Sequence, residues 1–332
     1  MMDLPFIWAA LIAFAVLAYV VLDGFDLGVG ILFPAFKAES ERDQMMNSVA
    51  PVWDGNETWL VLGGGGLFAV FPLAYAIVMP ALYLPIIIML LALIFRGVAF
   101  EFRWRTKRGK FLWDWAFTGG SFIAALAQGV ALGALVQGIS MDGRAYTGGA
   151  WDWLTPFSLF TGLALILGYI LLGATWLIYK TEGALQSRAY SIAFGAGIAT
   201  LAAIGIVSLW TPFLEPLYFQ RWFSWPQIIY TLPVPLLVAA CAALLFLSLS
   251  ARRELTPFLA SLGLFILSFA GIGISFYPYI VPPKLSIWDA AAPPESQAFL
   301  LIGAAVLVPI ILVYTAYAYW VFRGKVGDHG YH

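Results

Sequence analysis

The sequence predicts an all-α integral membrane protein with nine transmembrane helices, its N-terminus outside and its C-terminus in the cytoplasm. Three observations carry that prediction. The 332 residues are 62% hydrophobic and 11% charged, with a mean hydropathy of +0.89. A soluble domain carries about 25% charged residues. Apolar runs of spanning length, about 20 residues each, recur from one end of the chain to the other. Lys and Arg gather in alternate connections, as the positive-inside rule requires. The formal net charge is −1 and no basic tract is present, so no nucleic-acid partner is expected.

The first run, 6–33, belongs to a stretch, MMDLPFIWAALIAF, with no positive flank and no small-residue cleavage site. It reads as a retained span rather than a signal peptide. The continuous run 60–95 is too long for one helix, since at about 1.5 Å per residue it would reach roughly 54 Å. Pro80, in AIVMPAL, has no backbone N–H to donate. The run therefore divides there into spans 57–76 and 81–100. The remaining spans are 116–138, 156–179, 189–210, 227–249, 256–279 and 298–322, all in one polytopic membrane domain, 1–332.

With the N-terminus outside, the outer connections hold only Arg144, Arg221 and Lys284, three of the 17 Lys and Arg. The other 14 lie inside, a strong positive-inside bias that supports this topology. Tryptophans such as Trp8, Trp104, Trp151, Trp210 and Trp320 fall near the expected interfaces and form an aromatic belt. The run GGGG, 63–66, is suited to close helix packing. The one cysteine, Cys241, sits in an apolar run as a packing residue and has no disulfide partner.

Histidine is informative by its position. His329 and His332 are the only two, and neither lies in a span. A haem held by an axial imidazole within the spans is therefore ruled out, as is a histidine-rich metal site. A hydrophobic chain of this kind is either a transporter or the partner of a chain that carries redox ligands.

Carboxylates nevertheless interrupt the apolar runs. Asp23 and Asp26 lie three residues apart in the inner half of the first span and share roughly one face. Asp54 and Glu57 open the second span, and Arg96 and Glu101 close the third at the same level. Ionisable groups buried in a bundle mark proton relays or ion sites. Bland readings exist for each. Asp54-Gly55-Asn56-Glu57 has the form of a capping box, and Glu57 reads as a cap. Asp23 could mark the end of the span in water, although the apolar run continues past Asp26. Arg96 could snorkel to the interface, with Glu101 as its surface partner. The gathering of all of them on one side of three adjacent helices favours a polar path. Trp53 and Trp59 flank it and read as packing residues.

The motifs DGFDLGVGIL, NSVAPVWDGNETWLV, FRGVAFEFR, FLWDWAFTGGSF, YPYIVP with SIWDAA, and LVPIILVYTAYAYW follow one another along essentially the whole chain. In order and spacing the chain resembles subunit II of the cytochrome bd-type quinol oxidases, a family that includes the cyanide-insensitive oxidases. The resemblance implies a partner, the homologous subunit I, and often a very small accessory subunit. It places three haems and the quinol-oxidising loop in subunit I, so no catalytic residue is expected in this chain. It implies a complex in the bacterial cytoplasmic (inner) membrane, among lipid and quinol. That complex oxidises quinol, reduces dioxygen to water and draws the protons from the cytoplasm. The family's proton path maps onto Asp54, Asp26, Arg96 and Glu101, with Asp23 beside Asp26. Some members carry Asp where this chain has Glu101. Trp59 matches a tryptophan that lines an oxygen route in some members, and a structural quinone lies against subunit II in some. The rival readings are a proton- or ion-coupled secondary transporter, which would use the same acids, and a scaffold that shields subunit I. A transporter of this size would show paired broken helices in two halves, and no convincing second pair is visible.

Overall fold

In the computed structural model, residues 3–326 are described; His329 and His332 lie outside them. The chain enters α1 (Leu4–Leu32) through Asp3, whose carboxylate accepts the Phe6 N–H at 3.2 Å and so caps the helix. One 3-10 turn at Phe33–Ala35 ends that helix. A short polar helix, α2 (Glu39–Val49), then turns Met45, Met46 and Val49 into the core. Next come α3 (Trp53–Val70), α4 (Pro72–Ala81) and α5 (Tyr83–Arg105). The division near Pro80 holds, because α4 stops at Ala81. The predicted span 57–76 has a further break at Phe71, directly before Pro72, where proline disfavours helical backbone in the residue ahead of it.

After α6 (Lys110–Val136), strands β1 (Met141–Asp142) and β2 (Ala145–Tyr146) make a small hairpin. Helices α7 (Pro156–Lys180) and α8 (Gly183–Trp210) follow, then two short helices, α9 (Pro216–Phe223) and α10 (Ile228–Thr231). Helices α11 (Pro233–Ser250) and α12 (Thr256–Phe276) lead to a second hairpin, β3 (Tyr279–Val281) with β4 (Leu285–Ser286). The last helix is α13 (Pro294–Val321). Among the described residues, eight helical segments are long and apolar enough to cross a membrane. The segment α3 is not one of them, since it carries Asp54, Asn56, Glu57 and four consecutive glycines.

Helix α1 is central and packs against α3, α6 and α7. Small residues make this possible. A Cβ added at Gly28 would fall 1.8 Å from the Tyr169 carbonyl oxygen, and one at Gly173 would fall 2.4 Å from the Gly28 carbonyl carbon. The two backbones therefore touch directly. Phe25 stacks on Trp176 at 4.1 Å between ring centres just beside that crossing. By contrast, α13 buries only Gln297. The hairpins meet at one end of the bundle, where Lys284 Nζ donates to the Met141 carbonyl at 3.3 Å. At the other end ion pairs stitch the connections together, Arg188 to Glu41 at 3.2 Å and Lys325 to Glu254 at 2.8 Å.

Candidate polar site on the first helices

Helices α1, α3 and α5 bring four ionisable groups to one point. Asp23 and Asp26 both face inward from α1 and are 0% exposed. Arg96 of α5 is also 0% exposed. Its Nη2 lies 3.0 Å from Asp23 Oδ1 and 3.8 Å from Asp26 Oδ2, while Nη1 donates to Glu57 Oε1 at 2.7 Å. The local packing explains the aim of the guanidinium. Gly120 of α6 is pressed against α5, where a Cβ would come within 2.6 Å of the Ala92 oxygen and 3.0 Å of Arg96 Cβ. The Phe100 ring lies 5.6 Å from the guanidinium on the other side.

Neutral residues complete the surroundings. Asn56 Nδ2 donates to Asp26 Oδ2 at 2.7 Å and to the Leu22 carbonyl at 3.2 Å. Tyr319 donates to Asn56 Oδ1 at 3.0 Å. Tyr169 donates to Gln128 Oε1 at 2.8 Å, and Gln128 Nε2 donates to the Tyr19 hydroxyl at 2.6 Å. The Tyr19 hydroxyl lies against the Asp23 carboxylate. Even so, neither Asp23 oxygen nor Asp26 Oδ1 meets an aligned protein donor, and Arg96 Nε and Nη2 meet no aligned acceptor.

Three carboxylates thus surround one buried guanidinium, two of them fully buried and Glu57 partly open to water. Full ionisation would leave an uncompensated double negative charge, which is costly at low dielectric. The arrangement can store a proton, and its unaligned oxygens are sites where water would hydrogen-bond.

The sequence-predicted residues divide between centre and edge. Asp23, Asp26 and Arg96 are brought together. Asp54 is exposed in the first turn of α3, and Glu101 is exposed and pairs with Arg105 at 3.6 Å on the same helix. Glu57, expected as a cap, joins the centre instead. The capping-box expectation fails because α3 starts at Trp53 with Val52 as N-cap and no side-chain cap bond. Trp59 is fully buried, edge-on to Phe14 at 5.6 Å, with its indole N–H unpartnered. Trp53 stacks on Phe100 at 4.8 Å. Cys241 is half-buried beside Gly263. Tyr19, Tyr169, Gln128 and Tyr319 were missed by sequence reasoning, because a neutral polar residue leaves no mark in an apolar run, and Asn56 was passed over between two acids that read as a capping box. Among the described residues no group of three or more His, Cys, Asp or Glu is arranged to hold a metal ion.

A second buried arginine lies about two turns further along α5. Arg103 Nε donates to Asp114 Oδ1 and its Nη1 to Asp43 Oδ1, both at 2.6 Å. Arg42 adds a bond to Asp114 at 3.0 Å, and Lys110 bonds Glu39. This group clamps α2 to the α5–α6 turn. The Lys110 hydrogen bond and charge hold the Glu39 carboxyl below the usual carboxylate range.

Comparison with known proteins agrees with this architecture. The chain is 32% identical over 361 residues to "Cytochrome bd-I ubiquinol oxidase subunit 2" of Escherichia coli K12, covering 97% of this chain and 95% of that one. It is 30% identical over 341 residues to "Cytochrome bd ubiquinol oxidase subunit 2" of Bacillus subtilis 168, covering 98% of each. Its fold matches a chain of the bd oxidase from Geobacillus thermodenitrificans with a TM-score of 0.78 at 18% identity, over 96% of this chain and 99% of that one. The family model described as cytochrome bd terminal oxidase subunit II matches residues 4–322. A multi-pass helical chain whose match runs from α1 to the end of α13 therefore belongs to the cytochrome bd terminal oxidase subunit II family.

Proposed function

We propose that this chain is the haem-free partner of a haem-bearing subunit I in a quinol:dioxygen oxidoreductase of the bacterial cytoplasmic membrane. Its N-terminus faces outside and its single polytopic domain crosses the membrane nine times, with α3 and α4 together making the second crossing. Glu57, Arg96, Asp23 and Asp26 form part of the route by which protons from the cytoplasm reach the oxygen-reducing haem. One observation supports this above all: a fully buried guanidinium with three carboxylates around it, two of them carrying oxygens without aligned donors.

The chemistry follows from the charge count. Reducing dioxygen to water consumes four protons, which a hydrocarbon barrier keeps from the site. A carboxylate freed by proton delivery is held in place by Arg96, and a proton arriving from the aqueous side neutralises it again. Glu57 is the member nearest water, with its side chain 24% exposed. Asp54, exposed one turn away on α3, stands at the mouth. Glu101 acts outside the buried group as a surface acid. The haems and the quinol-oxidising groups reside in subunit I, and a very small accessory subunit completes the complex. Trp59 borders an oxygen route beside the acids. The family assignment leaves the transporter reading without support.

Asp26→Asn tests the reading. It keeps the size and the Asn56 contact but cannot carry a negative charge. Quinol oxidase turnover is expected to fall at least about tenfold, equivalent to about 1.4 kcal/mol on the limiting step, with haem content unchanged. Full turnover in an assembled, haem-replete Asp26→Asn complex defeats it.

A further inference from the structure

A cavity of about 310 Å³ opens among α1, the end of α2, α7, α12 and the end of α13, at the end of the bundle where Lys325 pairs with Glu254. Two donors on its wall are poorly matched. Lys180 is 4% exposed, and no carboxylate lies within ion-pair distance of it among the described residues. Its Nζ makes one bond, to the Phe322 carbonyl at 2.6 Å. The nearby acid, Glu254, is taken by Lys325 at 2.8 Å and by Gln186 at 2.8 Å. Trp176, one turn before Lys180 on α7, is also buried, and its indole N–H has no acceptor. A buried ammonium with no carboxylate partner, held by the Phe322 carbonyl and lying 5.6 Å from the Trp176 ring centre, and a buried indole N–H with no acceptor belong to residues that line one space. Arg323 adds a second positive charge on the same wall. The remaining wall is apolar, with Phe258, Leu259 and Leu262 of α12, and Leu259 is 53% exposed.

We propose that this cavity binds one anionic phospholipid. The headgroup phosphate accepts from Lys180 and from the Trp176 indole, Arg323 closes over it, and an acyl chain runs along Leu259 and Leu262. Basic pockets between membrane helices select anionic headgroups on this physical basis. The proposal does not depend on the oxidase reading.

The chain, with whatever subunits accompany it, is extracted into nanodiscs of equal phosphatidylglycerol and phosphatidylcholine and examined by native mass spectrometry. One phosphatidylglycerol is expected to stay bound. Lys180→Gln should lower its retention about fivefold, the effect of one basic group on an anionic lipid, and Lys180→Arg should restore it. Trp176→Phe, which removes only the N–H, should also lower retention, and serves should Lys180→Gln fail to accumulate. Lys284→Gln, at the opposite end, should change nothing. Equal retention of phosphatidylcholine overturns the proposal, and so does retention of a neutral quinone at this site. Displacement of the lipid by inorganic phosphate alone, or undiminished retention in both Lys180→Gln and Trp176→Phe, also overturns it.

Discussion

Arg96 and Arg103 lie on the same helix, are equally buried, and are both ringed by acids, yet they are built to different ends. Arg103 is matched: two aspartates meet it in aligned bonds of 2.6 Å, and Arg42 and Lys110 supply further positive charge around those acids. Arg96 is outnumbered three to one, and only its bond to Glu57 is aligned. Balanced charge with full hydrogen bonding makes a clamp. Excess acid with unaligned oxygens is what the proposed proton route requires.

Replacing each arginine by leucine breaks the comparison most directly. Arg96→Leu leaves two buried carboxylates and the half-buried Glu57 with no counter-charge, and the expected outcome is loss of the assembled complex from the membrane. Adding Asp23→Asn and Asp26→Asn to that variant should restore assembly without restoring turnover. A triple variant that turns over normally would show the acids to be structural only. Arg103→Leu should cost about 3–5 kcal/mol of stability, the usual effect of removing one partner from a buried pair. The complexes that do assemble should keep their turnover, measured per haem. Reduced turnover in them would erase the distinction between the two sites.

A series along the rim gives smaller effects. Glu57→Gln should slow turnover more than Asp54→Asn, and Glu101→Gln should leave it nearly unchanged, since Glu101 pairs only with exposed Arg105. The reverse order would move the path to the exposed edge of α3 and α5.

The smallest effect is one of pH at the clamp. Glu39 is held down there by its hydrogen bond to Lys110. A carboxyl lowered in the folded state adds stability that is fully present above its unfolded value, about 4.3. That stability is lost as pH falls through the lower folded value. Hydrogen exchange in 37–52 should therefore stay constant near neutrality and rise only below about pH 4. Loosening as pH rises through neutrality would contradict the assigned bonds.

Much of this was legible from residue order. Spanning runs announce themselves by hydropathy, and Asp23, Asp26 and Arg96 stand out because charge in such a run is expensive. The surface helix α2 was not legible, because it is short and polar and derives its place from ion pairs across the fold. The placement of Glu57 at the centre and of Asp54 at the edge was not legible for a similar reason. Only the packing of α3 on α1 decides which side of α3 faces Arg96, and a helix started at Trp53 turns Glu57 toward it. Phe71 escaped notice because its break shows only in a backbone angle set by the following proline.

The direct contact of α1 and α7 at Gly28 and Gly173 has a mechanical consequence. With no side chain between them, the pair has no slack in which one could piston or rock past the other. The two aspartates on α1 therefore sit on a fixed mount. A route past these aspartates, as proposed above, would then carry protons and water without any sliding of the two helices.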